Sequence, residues 1–238
     1  QADHAAPDQQ GEAEDKVEGE DDDEAKGEDL GGEALMPSAA QETRILFRNI
    51  DEPRLTSIRT YTRLGGYQAI RKAYKEMGPE EVLNELEASG LRGRGGAGFS
   101  MGKKASFLPR GDMDKYLCCN ADESEPGAFK DRELMQKNPH QLIEGIIIAA
   151  RAASANLCFI FIRGEYDLQG DILDQAVAEA YEAGFLGDDV LGTGEQVELV
   201  VHRGAGAYIC GEETALLDSL EGKRGNPRLK PPFPAIQG

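Results

Sequence analysis

The sequence has no excess of positive charge. Its 238 residues contain 44 aspartates and glutamates against 26 lysines and arginines, which gives a formal net charge of −18. A protein that binds nucleic acid needs a basic surface that displaces counterions from the phosphates. The charge balance therefore argues against a nucleic-acid partner.

The sequence also lacks an uninterrupted apolar run. Its most apolar stretch, residues 142–162, contains Glu144, Arg151 and the turn-forming Asn156. A transmembrane helix needs about 20 mostly apolar residues in succession. The first residues lack the basic start and the apolar centre of a signal peptide. We therefore predict neither a membrane span nor a signal peptide.

Residues suited to metal binding or nucleophilic catalysis are few and scattered. The four cysteines, Cys118, Cys119, Cys158 and Cys210, include no CxxC pair, which is the spacing typical of zinc and cluster sites. The three histidines show no ligand spacing, and no Ser-His-Asp or Cys-His set is recognisable. We predict buried free thiols, a reducing compartment and no metal ligand. Binding groups without acid-base machinery are typical of a protein whose cofactor performs the chemistry.

Negative charge is concentrated at the start of the chain. Residues 1–43 hold 15 acids against 2 lysines, and residues 1–36 contain no aromatic side chain. Such a segment cannot bury enough apolar surface to offset the entropy of ordering, so we predict a disordered tail. Its role as a solvated linker or as an interaction tail stays open. Since the sequence starts with Gln, a fragment, a processed chain and a link to another module also stay open.

Strands and helices are predicted to alternate along the rest of the chain. Helical periodicity appears in residues 65–78, 79–90, 139–156, 168–183 and 212–222. Apolar strands are predicted over residues 115–120, 157–164 and 196–204. This alternation indicates an α/β fold, a Rossmann-like parallel sheet flanked by helices. We divide the chain into an acidic tail (1–43), an N-terminal helical segment (44–90) and an α/β domain (91–238).

Residues 91–133 combine glycines, cations and aromatic rings. Glycines allow backbone N–H groups to approach phosphate or a flat ring closely, and Arg94, Lys103 and Lys104 supply positive charge. The spacing of three of the glycines matches GxGxxG, but that fingerprint requires a preceding strand. A helix is predicted there instead, so we reject a dinucleotide fingerprint. The glycines and the aromatic candidates are Gly93, Gly95, Gly96, Gly98, Phe99 and Phe107.

Three further segments follow predicted strands or the last helix, where open α/β sheets bind ligands. They are NADESEPG from Asn120, GAGAYICGEET from Gly204 and KRGNPRLKPPFP from Lys223. In the first segment, a turn or helix cap explains Asn120 and Asp122 but leaves Glu123 and Glu125 without a role. In the second, the helix dipole alone accounts for acids at a helix start, although a carboxylate there also suits ribose hydroxyls.

Four motifs together resemble one family. GLRGRGGAGFSMGKKASF, CNADESEPGAFKDRE, GAGAYICGEETALL and NPRLKPPFPA are similar, in order and spacing, to the NADH-binding flavoprotein subunit of respiratory complex I. The same core occurs in the diaphorase subunits of NAD-linked hydrogenases and formate dehydrogenases. The resemblance extends over residues 65–238 and is highly specific.

The resemblance implies a site for FMN and NADH. It places nine residues around the flavin and its phosphate: Gly93, Arg94, Gly95, Lys104, Asn120, Asp122, Tyr208, Gly211 and Glu212. Two neighbours, Gly96 and Glu123, are included in the cofactor site. Phe99, Phe107 and Phe233 would enclose the adenine, and Lys230 would lie near the dinucleotide. Glu213 would hold ribose hydroxyls and favour NADH over NADPH. Glu125 is the catalytic candidate, because it would orient the nicotinamide carboxamide.

The resemblance also implies an activity and partners. It implies hydride transfer from NADH to FMN, followed by electron transfer to iron–sulfur clusters of a respiratory NADH:quinone oxidoreductase. The implied partners are a thioredoxin-like [2Fe–2S] subunit and an iron–sulfur subunit, on the cytoplasmic face of the bacterial inner membrane or the equivalent matrix side. Full-length members carry a [4Fe–4S] cluster in a later domain, so we expect none in this chain. The alternatives are a diaphorase subunit and a truncated module that binds without turnover.

Overall fold

A three-stranded parallel sheet lies at the centre of the fold. A computed structural model of the chain describes residues 43–109, 111 and 113–237. The strands are β1 (Tyr116–Ala121), β2 (Leu157–Ile162) and β3 (Glu198–Arg203), in the order β1-β2-β3. Tyr116 pairs with Leu157, which pairs with Glu198. The predicted α/β fold with a parallel sheet is confirmed, whereas the predicted acidic tail lies outside the described residues.

One face of the sheet is covered by three helices. They are α5 (Lys130–Lys137), α6 (Pro139–Ala153) and α7 (Asp167–Glu182). Proline at the first position of α6 has no N–H to leave unpaired and already has a helical φ angle. The alternate residues Cys158, Ile160 and Ile162 of β2 are completely buried in the main core. Phe161, on the opposite face of the strand, is also completely buried, and burial on both faces explains why the second predicted strand is a continuous apolar run.

Four short helices precede β1 in the part of the chain that the structure describes. They are α1 (Ile58–Arg63), α2 (Gln68–Lys75), α3 (Pro79–Ala88) and α4 (Met101–Ala105). The Glu81 side chain accepts a hydrogen bond from the Gly78 backbone N–H at 2.7 Å, which caps α3. Because α3 and not a strand precedes the glycines, the rejection of a dinucleotide fingerprint is confirmed. No individual helix was predicted at α1, α4 or α5, although α1 lies inside the predicted N-terminal helical segment (44–90).

A buried polar network joins the N-terminal helices to α6. The Tyr61 hydroxyl and the Tyr67 backbone N–H both donate to Glu144 Oε2, at 2.5 and 2.9 Å. The Tyr67 hydroxyl lies 2.8 Å from His140 Nδ1, and burial lowers the pKa of His140. These contacts give the buried carboxylate of Glu144 the partners that it needs, and they attach residues 58–67 to the sheet-covering layer.

The second face of the sheet carries the last helix, α8 (Glu213–Leu220). Phe161 of β2 packs there with Cys210 and Leu216. All four cysteines are free thiols, of which Cys158 and Cys210 are buried, and burial raises the pKa of Cys158 to about 12. Within the part of the chain that the structure describes, no helix is both long enough and apolar enough to cross a bilayer.

Candidate functional site

The candidate site lies at the carboxyl-terminal edge of the sheet. Asn120, near the end of β1, donates from Nδ2 to the backbone carbonyl of Gly211 at 2.7 Å. Its Oδ1 accepts a hydrogen bond from the Asp122 backbone N–H at 3.1 Å. A single side chain therefore connects the segment that follows β1 to the segment that follows β3. These are two of the three segments that the sequence placed at the ligand-binding edge.

Asp122 carries a buried oxygen without a partner. Its Oδ1 accepts from the Ser124 hydroxyl at 3.0 Å, while Oδ2 is buried and accepts no hydrogen bond from the described residues. Burial raises the pKa of Asp122, and the hydrogen bond from Ser124 opposes that rise. A Cβ atom at Gly211 would lie 3.2 Å from both the Asp122 carbonyl and Oδ2. Glycine at position 211 therefore permits the close approach of the two segments.

Glu123 has a structural role that the sequence did not reveal. Its carboxylate accepts hydrogen bonds from the backbone N–H groups of Asp131 and Arg132, at 2.9 and 3.0 Å, in the first turn of α5. Only 6% of Glu123 is exposed. The expectation that a cap would leave Glu123 without a role is wrong, because Glu123 itself caps a helix eight residues later. No signal for this capping role is visible in the sequence, because the helix that Glu123 caps, α5, was not predicted.

The backbone of Glu123 is held as well. The Arg163 guanidinium, just after β2, donates from Nη1 to the Glu123 carbonyl at 2.7 Å, and the Tyr166 hydroxyl lies 3.2 Å from Glu123 Oε2. Neither residue was a sequence candidate. Together they fix the segment after β1 from the side of β2, so the edge is built by all three strands.

Glu125 projects away from these anchors. It is exposed, and its carboxylate accepts a short hydrogen bond from the Tyr208 hydroxyl, which belongs to the 3₁₀ turn Tyr208–Gly211. The carboxylate raises the pKa of Tyr208, mainly through this hydrogen bond. Glu125 and Tyr208 thus meet across the segments that follow β1 and β3, in a position open to solvent.

The start of α8 places two acids in different environments. Glu212 Oε2 accepts hydrogen bonds from the backbone N–H groups of Thr214 and Ala215, at 2.9 and 3.0 Å, so it caps the helix. Burial by itself would raise the pKa of Glu212, but a hydrogen bond from the Thr214 hydroxyl, these backbone bonds and one from Lys230 lower it to about 2. Glu213 contacts Lys230 through a short ion pair. The cap formed by Glu212 agrees with the expectation that an acid is favoured at the start of this helix.

The glycine-rich loop forms a closed turn. An antiparallel bridge joins Arg92 to Ser100, and the Gly93 backbone N–H donates to the Phe99 carbonyl at 2.8 Å. Gly96 and Gly98 have φ angles of 106° and 62°, which other residues rarely adopt. A Cβ at Gly95, Gly96 or Gly98 would meet no atom within 4 Å. The loop therefore presents open space beside its backbone.

The helix α4 connects this loop to the edge of the sheet. A Cβ at Gly102 would lie 2.5 Å from Glu87 Cα, so glycine lets α4 pack directly on α3. The Lys104 ammonium lies 3.9 Å from a carboxylate oxygen of Glu213. The third predicted segment arrives there too, because Lys230 contacts both Glu213 and, at 3.1 Å, Glu212. The structure thus brings the glycine loop and all three segments together.

Exposed aromatic rings accompany these groups. The rings of Phe99 and Phe107 lie 6.2 Å apart between centroids, at an angle of 41°, and each residue is 50% exposed. The Lys103 ammonium lies over the Phe107 ring at 5.4 Å. Phe233 is also exposed, on the loop after α8. Half-exposed aromatic pairs offer a flat apolar surface on which an aromatic ligand can stack.

These features fit a flavin nucleotide. The space beside the loop glycines suits a flat ring or a phosphate, with Arg94 and Lys104 as cations for the phosphate. The unpartnered Oδ2 of Asp122 needs a hydrogen-bond donor, and the hydroxyl groups of a ribityl chain are such donors. No cluster of three or more His, Cys, Asp or Glu side chains suited to a metal ion occurs in residues 43–109, 111 and 113–237.

Comparison with known proteins agrees with this chemistry. Residues 86–237 match the family described as the Nuo51 FMN-binding domain. The chain belongs to this family. A subunit of the NADH-quinone oxidoreductase of Rhizobium meliloti is 55% identical over 195 residues, which cover 82% of this chain and 46% of that protein. A subunit of the Escherichia coli NADH-quinone oxidoreductase is 54% identical over 180 residues, 75% of this chain and 40% of that protein.

Solved structures show the same relationship. The NAD⁺-reducing [NiFe]-hydrogenase in the H₂-reduced state matches with a TM-score of 0.66 and 40% identity, over 75% of this chain and 30% of the hydrogenase chain. The present chain spans about half the length of the curated relatives that it matches. The resemblance to the complex I flavoprotein family is therefore confirmed for the FMN-binding domain.

Proposed function

We propose that this chain binds FMN and NADH and oxidises NADH by hydride transfer to the flavin. The observation that carries this proposal is the convergence of the glycine loop with the segments after β1, β3 and α8. Four contacts support it: Asn120 with Gly211, Glu125 with Tyr208, Lys104 with Glu213, and Lys230 with Glu213. The family match to an FMN-binding domain supports the same chemistry.

The groups suited to FMN lie on the glycine loop and at the ends of β1 and β3. Open backbone at Gly93, Gly95 and Gly96 would face the flavin, while Arg94 and Lys104 would neutralise its phosphate. Asp122 would accept a hydrogen bond through its free Oδ2. Asn120, Tyr208, Gly211 and Glu212 would complete this side of the site, and Glu123 would contribute by fixing the loop through its cap on α5.

The groups suited to NADH lie on the exposed side. Phe99 and Phe107 present the stacking surface for the adenine, with Phe233 from the last loop. Glu213 accepts no backbone N–H from the residues that the structure describes, so its carboxylate is available to ribose hydroxyls. Glu125 is exposed and would orient the carboxamide of the nicotinamide. A carboxylate beside the ribose would also disfavour a 2′-phosphate, which makes NADH the expected nucleotide.

The chemistry itself belongs to the cofactor. When bound, FMN supplies a two-electron acceptor for the hydride of NADH and a donor of single electrons to iron–sulfur centres. The residues of this chain bind both nucleotides and hold their rings in a fixed mutual orientation. None of them is required to transfer a proton, which agrees with the sparse acid-base machinery of the sequence.

We place this activity in a larger assembly. The named relatives are subunits of NADH-quinone oxidoreductases, so we propose a peripheral-arm subunit that passes electrons to a thioredoxin-like [2Fe–2S] subunit and an iron–sulfur subunit. Its expected site is the cytoplasmic face of the bacterial inner membrane or the matrix side. The match to an NAD⁺-reducing hydrogenase favours a diaphorase subunit as the second candidate. We also propose the division of the chain into an acidic tail (1–43), an N-terminal helical segment (44–90) and an α/β domain (91–238).

An absorbance experiment tests the proposal. The purified chain is supplied with FMN, freed of excess flavin and titrated with NADH in the absence of oxygen. We expect a retained flavin band that NADH bleaches. Lys104→Gln should weaken FMN retention, whereas Lys103→Gln, which removes the same charge from a neighbour that faces Phe107, should retain it. Absence of bound flavin in the unaltered chain would contradict the proposal and favour a module that is incomplete by itself.

A further inference from the structure

Lys230 is the cation that joins the two acids at the start of α8. Its ammonium forms a short ion pair with Glu213 and lies 3.1 Å from Glu212 Oε1. Lys104 is farther from Glu213, at 3.9 Å. The hydrogen bond that Lys230 donates to Glu213 is the main reason that the pKa of Lys230 is raised, which keeps the ammonium charged. The acid expected at the ribose therefore carries a counter-charge.

The carboxylates of Glu212 and Glu213 differ in how firmly they are held. Glu212 accepts from two backbone N–H groups of α8 and cannot turn away without uncapping the helix. Glu213 is held, within the described part of the chain, only by Lys230 and Lys104. Its orientation and its electric field therefore depend on the lysines.

The loop that carries Lys230 is fixed to the same helix. The Arg228 backbone N–H donates to the Thr214 hydroxyl at 2.8 Å, and the Arg228 guanidinium lies 3.4 Å from Asp218. Prolines at 231 and 232 further restrict the backbone after Lys230. Lys230 is therefore positioned beside Glu213 by its backbone and does not reach it from a freely moving chain.

This arrangement changes the expected selectivity. A lone carboxylate repels the two negative charges of a 2′-phosphate, but a cation in direct contact cancels most of its field at a distance. The same ammonium also attracts the phosphate directly. We propose that Lys230 is a specificity-determining residue that limits the discrimination of Glu213 against 2′-phosphorylated nucleotides. This inference rests on the proposed function, because it requires the ribose to lie at Glu213.

Redox-inert ligands test the inference without turnover. Calorimetric titration of the FMN-loaded chain with ADP-ribose and with 2′-phospho-ADP-ribose gives the two dissociation constants. The selectivity ratio is the dissociation constant of 2′-phospho-ADP-ribose divided by that of ADP-ribose. We expect Lys230→Met to increase this ratio in favour of ADP-ribose by about threefold to tenfold at low salt, and by less at high salt. Lys230→Arg should keep the original ratio. Lys223→Met is the matched control, since Lys223 pairs with Glu221 on the same loop and should leave the ratio unchanged.

A second variant distinguishes the assignment of Glu213 to the ribose from the proposed role of Lys230. Glu213→Gln should lower the ratio, because it removes the repelling charge but keeps an acceptor for ribose. An unchanged ratio in Glu213→Gln, or no binding of either ligand to the unaltered chain, would overturn the ribose assignment and the inference with it. If Glu213→Gln lowers the ratio while Lys230→Met leaves it constant or lowers it, only the role of Lys230 is refuted.

Discussion

Replacement of Glu123 by alanine tests whether this acid acts through the fold or through a ligand. The change removes a carboxylate that accepts two backbone hydrogen bonds from the first turn of α5 and lies beside Tyr166. Hydrogen bonds to a charged group contribute about 1.5–3 kcal/mol each, and part of that loss is recovered when water reaches the freed N–H groups. Loss of the cap should therefore lower the free energy of unfolding by about 2–4 kcal/mol.

Urea denaturation followed by far-ultraviolet circular dichroism measures this change, since the sequence has no tryptophan for a fluorescence signal. The matched control is Glu125→Ala, two residues away, because Glu125 is exposed and, within the described part of the chain, its carboxylate bonds only to the Tyr208 side chain. It should change the free energy of unfolding by less than about 1 kcal/mol. Equal stability of the two variants would refute the assignment of Glu123 as a cap.

Two further predictions concern the elements beside the site. Gly102→Ala should destabilise the packing of α4 on α3, because the added Cβ would lie 2.5 Å from the backbone of Glu87. We expect a lower midpoint of thermal unfolding and weaker FMN retention. A midpoint equal to that of the unaltered chain would contradict this prediction. Glu212 has a pKa lowered to about 2 in the folded chain, so its contribution to stability is complete above the unfolded pKa of about 4.5 and is lost as the pH falls towards 2. Glu212→Gln should therefore flatten the fall of stability between pH 4.5 and 2 in acid-denaturation curves, and an unaltered slope would argue against the cap.

Sequence patterns predicted the elements that show a periodic or continuous apolar pattern. The three strands and the helices α2, α3, α6, α7 and α8 appear within a few residues of their predicted positions. The apolar run of β2 and the proline that begins α6 are local signals, so they can be read without knowledge of the fold. The four motifs likewise predicted the family correctly.

Three of the short helices could not be predicted in the same way. α2 and α8 contain 8 residues and show a helical apolar pattern. α1, α4 and α5 contain 5 to 8 residues and depend on contacts with other parts of the chain. The N–H of Ile58 at the start of α1 donates to Glu179, α4 rests on α3 through Gly102, and Glu123 caps α5. Each of these contacts joins residues that are far apart in sequence or belong to another element, so no local pattern announces them.

The acids of the site divide into two groups for a physical reason. Glu123 and Glu212 are bound by the N-terminal N–H groups of α5 and α8, where a carboxylate is favoured by both hydrogen bonds and the helix dipole. Glu125 and Glu213 follow them by two residues and by one residue. Within the described part of the chain, their carboxylates are held only by the side chains of Tyr208 and of lysines such as Lys230. A side chain bound to backbone cannot turn towards a ligand without loss of its cap, whereas one bound to another side chain can exchange that partner for a hydroxyl or amide. The first pair should therefore determine stability, and the second should determine the affinity and selectivity for the nucleotide.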